Sequence, residues 1–127
     1  MAAATTVDFN PNRARYWCWT AQVEPDVPDM VYQTLVNTLL TMARCVYVIF
    51  SLEKAETGQY HLQGYTCFAT PVVFTRFCKN MLEALGKAPH VKARWSTHSK
   101  ARDYCRKEDT HVSGPYVAGD DTDIPEE

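Results

Sequence analysis

No stretch of this chain approaches the ~20 consecutive apolar residues that a membrane-spanning helix requires. Its amino end, with Asp8 and no apolar segment, lacks the pattern of a secretory signal. Both absences predict an intracellular protein that is neither secreted nor membrane-bound. No two cysteines form a C-x-x-C pair, and the five present (Cys18, Cys45, Cys67, Cys78 and Cys105) are an odd number. That pattern argues against a disulfide framework and a cysteine-built zinc site, and predicts reduced, mostly buried thiols. There is no internal repeat and no low-complexity domain.

What is present suffices for one domain. A chain of 127 residues can bury a core without disulfides or a structural metal. Its 46% hydrophobic and 22% charged residues are ordinary for a globular protein. The net charge of -2 hides an asymmetry, because Asp120, Asp121, Asp123, Glu126 and Glu127 crowd the last residues without a base, leaving 13 bases against 10 acids before them. Within residues 87–107, seven bases face only Asp103, a local charge of +6 that suits a polyanionic partner.

Residues 1–14 read as a flexible N-terminal arm. Residues 15–22, rich in aromatic and β-branched side chains, predict a first strand. Val31, Leu35, Leu39 and Met42 recur at helical spacing and predict a helix over 29–42. The near-continuous apolar run of residues 45–52 suits a strand covered on both faces. A Lys54-Ala55-Glu56-Thr57-Gly58 turn then leads into an antiparallel partner over residues 60–69. Pro71 is expected to open a second helix with Val73, Phe77, Met81 and Leu85 on one face and Gly86 as its C-cap. A short basic strand over residues 90–95, a third helix over 97–107 and a short edge strand at 115–117 complete the pattern. Residues 118–127 read as an acidic linker or tail. The β-α-β-β-α-β-α order predicts an α+β ferredoxin-like, RRM-like sandwich, with an antiparallel sheet of about five strands flanked by helices.

Along strand 60–69, side chains alternate, so His61, Gln63 and Tyr65 share a face opposite Leu62 and Gly64. A nitrogen and an oxygen ligand thus stand side by side, and the hairpin brings Glu53 to the same end. On the third helix, Lys100, Tyr104 and Lys107 fall at i, i+4 and i+7. A tyrosine, with an unperturbed pKa of ~10, needs a neighbouring cation and a polarised electrophile to act as a nucleophile. Lys107 can supply the first, and a metal held by Glu53, His61 and Gln63 the second. Three readings fit these residues: a metal-dependent tyrosine nuclease, a non-catalytic single-stranded nucleic-acid-binding module of RNA-recognition type, and a protein-interaction domain.

The segments His61-Leu62-Gln63-Gly64-Tyr65 and Tyr104-Cys105-Arg106-Lys107-Glu108-Asp109 resemble the second and third motifs of the HUH-superfamily replication initiators (Rep) of circular single-stranded DNA viruses. The resemblance is to the circovirus, nanovirus and alphasatellite type, in which a glutamine replaces a second histidine. It implies that Tyr104 attacks a scissile phosphate to form a 5′-phosphotyrosine, with Lys107 assisting. It also implies that Glu53, His61 and Gln63 hold Mn²⁺ or Mg²⁺, a hard-ligand set that suits those ions better than zinc. The expected activity is metal-dependent, sequence-specific nicking and rejoining at a single-stranded origin stem-loop, which starts rolling-circle replication in the host cell nucleus. The first motif reads Trp19-Thr20-Ala21-Gln22, departing from the family at Ala21 and Gln22. Family members continue into a helicase domain, whereas no phosphate-binding loop sequence occurs here, so an isolated, monomeric nuclease domain over residues 15–117 is expected. For DNA contact, Lys92, Arg94 and Lys100 are expected on phosphates, and Arg15, Trp17, Trp19, Thr20 and Gln22 on bases.

Overall fold

The computed structural model describes residues 12–26, 29–42 and 44–127. Most of the arm expected over residues 1–14 therefore lies outside the described residues; Arg13 and Ala14 already belong to a strand. The elements run β1 (Arg13–Val23), α1 (Asp29–Thr41), β2 (Cys45–Lys54), β3 (Tyr60–Val73), α2 (Phe74–Leu85), β4 (His90–Ala93), α3 (His98–Tyr104) and β5 (His111–Gly119). The strands form one antiparallel five-stranded sheet in the order β4-β1-β3-β2-β5. The expected α+β sandwich is the observed one, with β1, β3 and β2 innermost.

Strand parity builds the two faces. One face carries Trp17, Trp19, Ala21, Val48, Phe50, Leu52, Leu62 and Phe68, which pack with Tyr32, Leu35 and Leu39 of α1 and Phe77 and Met81 of α2 into the main core. The other face carries Tyr47, Ile49, Tyr65 and Cys67, packed with Ala101 of α3 and with Cys105 just beyond it. Strand β2 lies between β3 and β5 with helices over one face and α3 over the other, which explains its unbroken apolar run.

Several boundaries differ from the sequence expectation, each for a local reason. Pro71 ends a long β3 and does not start α2; pairing of Arg13 and Ala14 with Val73 and Val72 holds that segment extended, and a residue before proline already disfavours helix. The edge strand β5 runs well past residues 115–117. The Gly114-Pro115 pair hid it, yet an edge strand tolerates proline because one side of its backbone has no partner. Helix α3 stops at Tyr104, three residues before Lys107, because Ser51 on β2 donates to the Cys105 carbonyl at 2.5 Å and the backbone turns there. The Gly86 C-cap is as expected, left-handed at φ 80° and donating to the Leu82 carbonyl at 2.8 Å. All five cysteines are free thiols, with Cys67 and Cys105 buried and Cys18, Cys45 and Cys78 half-buried.

Gly64 has a packing role that its place in a strand conceals. It pairs with Trp19 on β1 and Phe50 on β2, and a Cβ built on it would fall 2.1 Å from the Trp19 indole. The indole needs the space above the glycine, and in return its Nε1–H reaches the Thr66 hydroxyl at 3.0 Å. Gly64→Ala is expected to lower stability by about 1–3 kcal/mol, the usual cost of overpacking, seen as a lower urea midpoint at unchanged m-value.

Candidate active site

The β2–β3 register sets Glu53 directly across from His61 and Ser51 across from Gln63, and β1 adds Thr20 opposite Gln63 and Gln22 opposite His61. The side chains meet as the register requires. Glu53 Oε1 lies 3.2 Å from His61 Nε2, and the Thr20 hydroxyl donates to Gln63 Oε1 at 3.2 Å. Glu53 is wholly buried, at 0% exposure. Such a carboxylate is tolerated only when paired, and three groups converge on its Oε1: His61, Lys107 Nζ at 3.6 Å and the Thr110 hydroxyl at 3.2 Å. Its other oxygen, Oε2, is buried with no hydrogen-bond partner among the described residues.

That orphaned oxygen supports a metal ligand role. A carboxylate, an imidazole and an amide oxygen on one sheet end form a mostly hard donor set, fit for Mn²⁺ or Mg²⁺. Among the described residues no cluster of three or more His, Cys, Asp or Glu exists; this site has two such residues and completes its set with Gln63, an amide. The buried donor without a partner is the observation that favours it.

Tyr104, at the end of α3, is 53% exposed. Lys107 lies outside the helix, yet the turn after Tyr104 returns its ammonium to 4.4 Å from the Tyr104 ring while it also faces Glu53. Burial alone would push the Lys107 pKa down; the Glu53 carboxylate and then Tyr104 outweigh it and hold the pKa above the ordinary lysine value. The result is a permanent cation between carboxylate and phenol. Tyr104, Lys100, Gln63, Ser96 and Cys18 line an open cleft of about 250 Å³. Burial raises the Cys18 thiol to about 11, with Arg94 and Lys92 acting against it, so it stays protonated near neutral pH and is no rival nucleophile.

The structure corrects part of the expected DNA-contact set. Trp17 and Trp19 are core residues, at 0% and 1% exposure, beneath the helices on the opposite face. Strand alternation puts them there, and neither can present its ring to a base. Arg15 is exposed but lies at the far end of the sheet, beyond the Tyr16–Cys67 pair, beside a separate cleft of about 500 Å³ near Asp120 and Asp123. The Arg94 guanidinium donates to the Tyr65 hydroxyl at 2.8 Å and lies 4.3 Å from the Tyr16 ring centroid. Gln22 is exposed at the site end and bonded to Gln59; Lys92 and Lys100 are exposed on or beside the α3 face.

With this geometry in hand, the comparison with known proteins is direct. The profile of the viral replication protein family matches residues 14–108, from β1 past Tyr104 and Lys107. The chain belongs to that family. This Rep chain is similar to the master replication protein of banana bunchy top virus, 29% identical over 73 residues, which are 58% of this chain and 24% of that protein. It is also similar to Para-Rep C10 of the milk vetch dwarf C10 alphasatellite, 31% identical over 107 residues, 84% of this chain and 32% of that one. The chain thus spans about a quarter to a third of the length of the curated relatives it matches.

Residues that sequence reasoning missed hold this Rep site together. Thr110 and Ser51 are polar residues without a periodic signal, and only folding brings them to Glu53 and Cys105. The acidic segment after β5 lies against α3: Asp121 accepts from His98 at 2.9 Å and Arg102 at 3.3 Å, and Glu126 accepts from Ser99. His98 Nδ1 in turn meets the Tyr65 hydroxyl at 2.8 Å, tying α3 to β3. The His98 hydrogen bond, followed by that of Arg102, holds Asp121 below the ordinary carboxylate pKa against the effect of burial. Its stabilisation is therefore complete above the unfolded value of ~3.9 and lost as pH falls through the lower folded value. Asp121→Asn is expected to lower the melting temperature at pH 7 and to flatten its fall as the pH drops below ~3.9, measured by thermal unfolding across pH.

Proposed function

We propose that this chain is the metal-dependent nuclease domain of a rolling-circle replication initiator, which nicks and rejoins single-stranded origin DNA through Tyr104. The observation that carries the reading is Lys107, whose ammonium bridges the buried Glu53 carboxylate and the exposed Tyr104 ring at 3.6 Å and 4.4 Å. Membership of a family whose relatives are named master replication protein supports it.

The Tyr104 phenol oxygen attacks the scissile phosphorus as the P–O3′ bond breaks. The phenolic proton is lost, the 3′-oxygen leaves and is protonated to a 3′-hydroxyl, and the 5′-phosphate remains on Tyr104. Attack by a 3′-hydroxyl on that phosphotyrosine reverses the step and rejoins the strand. Lys107 stabilises the developing phenolate, and its pairing with Glu53 keeps it charged and in place. Glu53, His61 and Gln63 would hold Mn²⁺ or Mg²⁺, which supplies charge neutralisation at a non-bridging phosphate oxygen. Thr110 and Lys107 occupy Glu53 Oε1 and leave Oε2 for that ion. The same reading assigns the domain to a longer protein with a helicase domain, acting in the host cell nucleus, and has the isolated domain monomeric.

A non-catalytic module of RNA-recognition type would need aromatic rings on the open sheet face. Trp17 and Trp19 are on the face packed under α1 and α2, and the other is partly covered by α3.

Incubation with a panel of single-stranded stem-loop oligonucleotides and Mn²⁺ is expected to give a covalent adduct on denaturing electrophoresis. The adduct should disappear with EDTA, in Tyr104→Phe and in His61→Ala, the last still folded by circular dichroism because Lys107 and Thr110 continue to pair Glu53. Binding without any adduct from the wild-type chain across the panel would refute the nuclease reading. Thr110→Val is expected to raise the Mn²⁺ concentration that gives half-maximal adduct, and Thr110→Ser to restore it.

A further inference from the structure

Of the three tryptophans, two are sealed in the core and one is almost entirely in solvent. Trp95 is 79% exposed, more than any other large hydrophobic side chain among the described residues. It makes no ring contact with another described residue. Leaving so large a ring in water forfeits its burial, and exposed aromatics beside a site are the usual platforms for bases.

We infer that Trp95 is the base-stacking contact for single-stranded DNA at this site, an inference that rests on the nuclease reading. Its position carries the argument. Trp95 lies in the short connection between β4 and α3, next to Ser96, which lines the Tyr104 cleft. Both neighbours of the connection are anchored. On one side the Arg94 amide donates to the Tyr16 carbonyl at 2.9 Å and its guanidinium to Tyr65; on the other, Thr97 caps α3 by accepting from the Lys100 amide at 3.2 Å. A ring held between two anchored residues loses little freedom on stacking.

The charges around it narrow the occupant to a nucleic acid strand. Of the seven bases in residues 87–107, Arg94 is bonded to Tyr65, Arg102 and Arg106 to acids, and Lys107 to Glu53, while Lys87 lines a different cleft with Gln22 and Tyr60. Lys92 and Lys100, exposed and without an ion pair among the described residues, flank Trp95 in the chain. Lys92 pairs with Cys18 across β1, and Cys18 and Lys100 both line the cleft. A stacking ring between two cations for phosphates, continuous with the nucleophile's cleft, fits a single strand and not an apolar protein segment.

The test uses the Tyr104→Phe chain, so that binding is read without cleavage, and a stem-loop oligonucleotide that gives the adduct with wild type. Because Trp17 and Trp19 are buried, intrinsic fluorescence separates Trp95 from them. DNA is expected to quench a red-edge emission that is absent in Trp95→Ala. That variant should bind on the order of 10- to 100-fold more weakly, as expected for loss of one stacked base, and Trp95→Phe should recover part of the affinity. Equal affinity in Trp95→Ala, or quenching that persists in it, overturns the inference while wild-type adduct formation leaves the nuclease reading standing. Conversely, Trp95-dependent quenching by an oligonucleotide that never forms an adduct supports the stacking contact and counts against the nuclease. A change in sedimentation of Trp95→Ala with unaltered DNA affinity would assign the ring to a second copy of the chain and overturn the inference.

Discussion

A carboxylate with no access to solvent sets the terms for one whole end of this molecule. Glu53 must be compensated, since an unpaired buried charge is among the most costly features a fold can hold. The compensation comes from three places in the chain: His61 across the hairpin, Lys107 from the turn after α3, and Thr110 at the entry to β5. Four segments are thereby drawn to one point. The exposed phenol of Tyr104 arrives with them, its ring centroid 4.4 Å from the same Lys107 ammonium.

The compensation is also lopsided. All three partners act on Oε1, and among the described residues none bonds Oε2. Buried polar groups are almost always hydrogen-bonded, and among the described residues two side-chain atoms are exceptions: Trp17 Nε1, inside the apolar core, and Glu53 Oε2, at the polar end of the sheet beside His61 and Gln63. Under the proposed nuclease reading, that oxygen is the one left for a metal ion.

The opposite side of the sheet provides the rigidity. Two tryptophans expected on DNA bases pack against α1 and α2 instead, and Gly64 makes room for one of them. The side facing α3 is built differently, with a polar relay from Arg94 through Tyr65 and His98 to Asp121. Hydrogen bonds in such a chain are directional, so the relay fixes the orientation of α3, and with it the place of Tyr104.

Much of this was legible in the chain itself. Period-two alternation placed His61 and Gln63 on one face, the turn at residues 54–58 brought Glu53 back to them, and helical spacing marked α1 and α2, because each of these depends on neighbours within a few residues. The same local logic misled where two faces both carried aromatics: alternation says that Trp17 and Trp19 share a side, but not which side the helices cover. Only the tertiary structure decided that, since burial of β1 depends on where α1 and α2 return to the sheet. Thr110, Ser51 and Asp121 gave no local signal either, as their partners lie 57, 54 and 23 residues away. The sequence alone determined which groups could do the chemistry. Long-range packing determined which of them are held together, because the free energy of a buried charge is settled by whatever the whole chain brings to it.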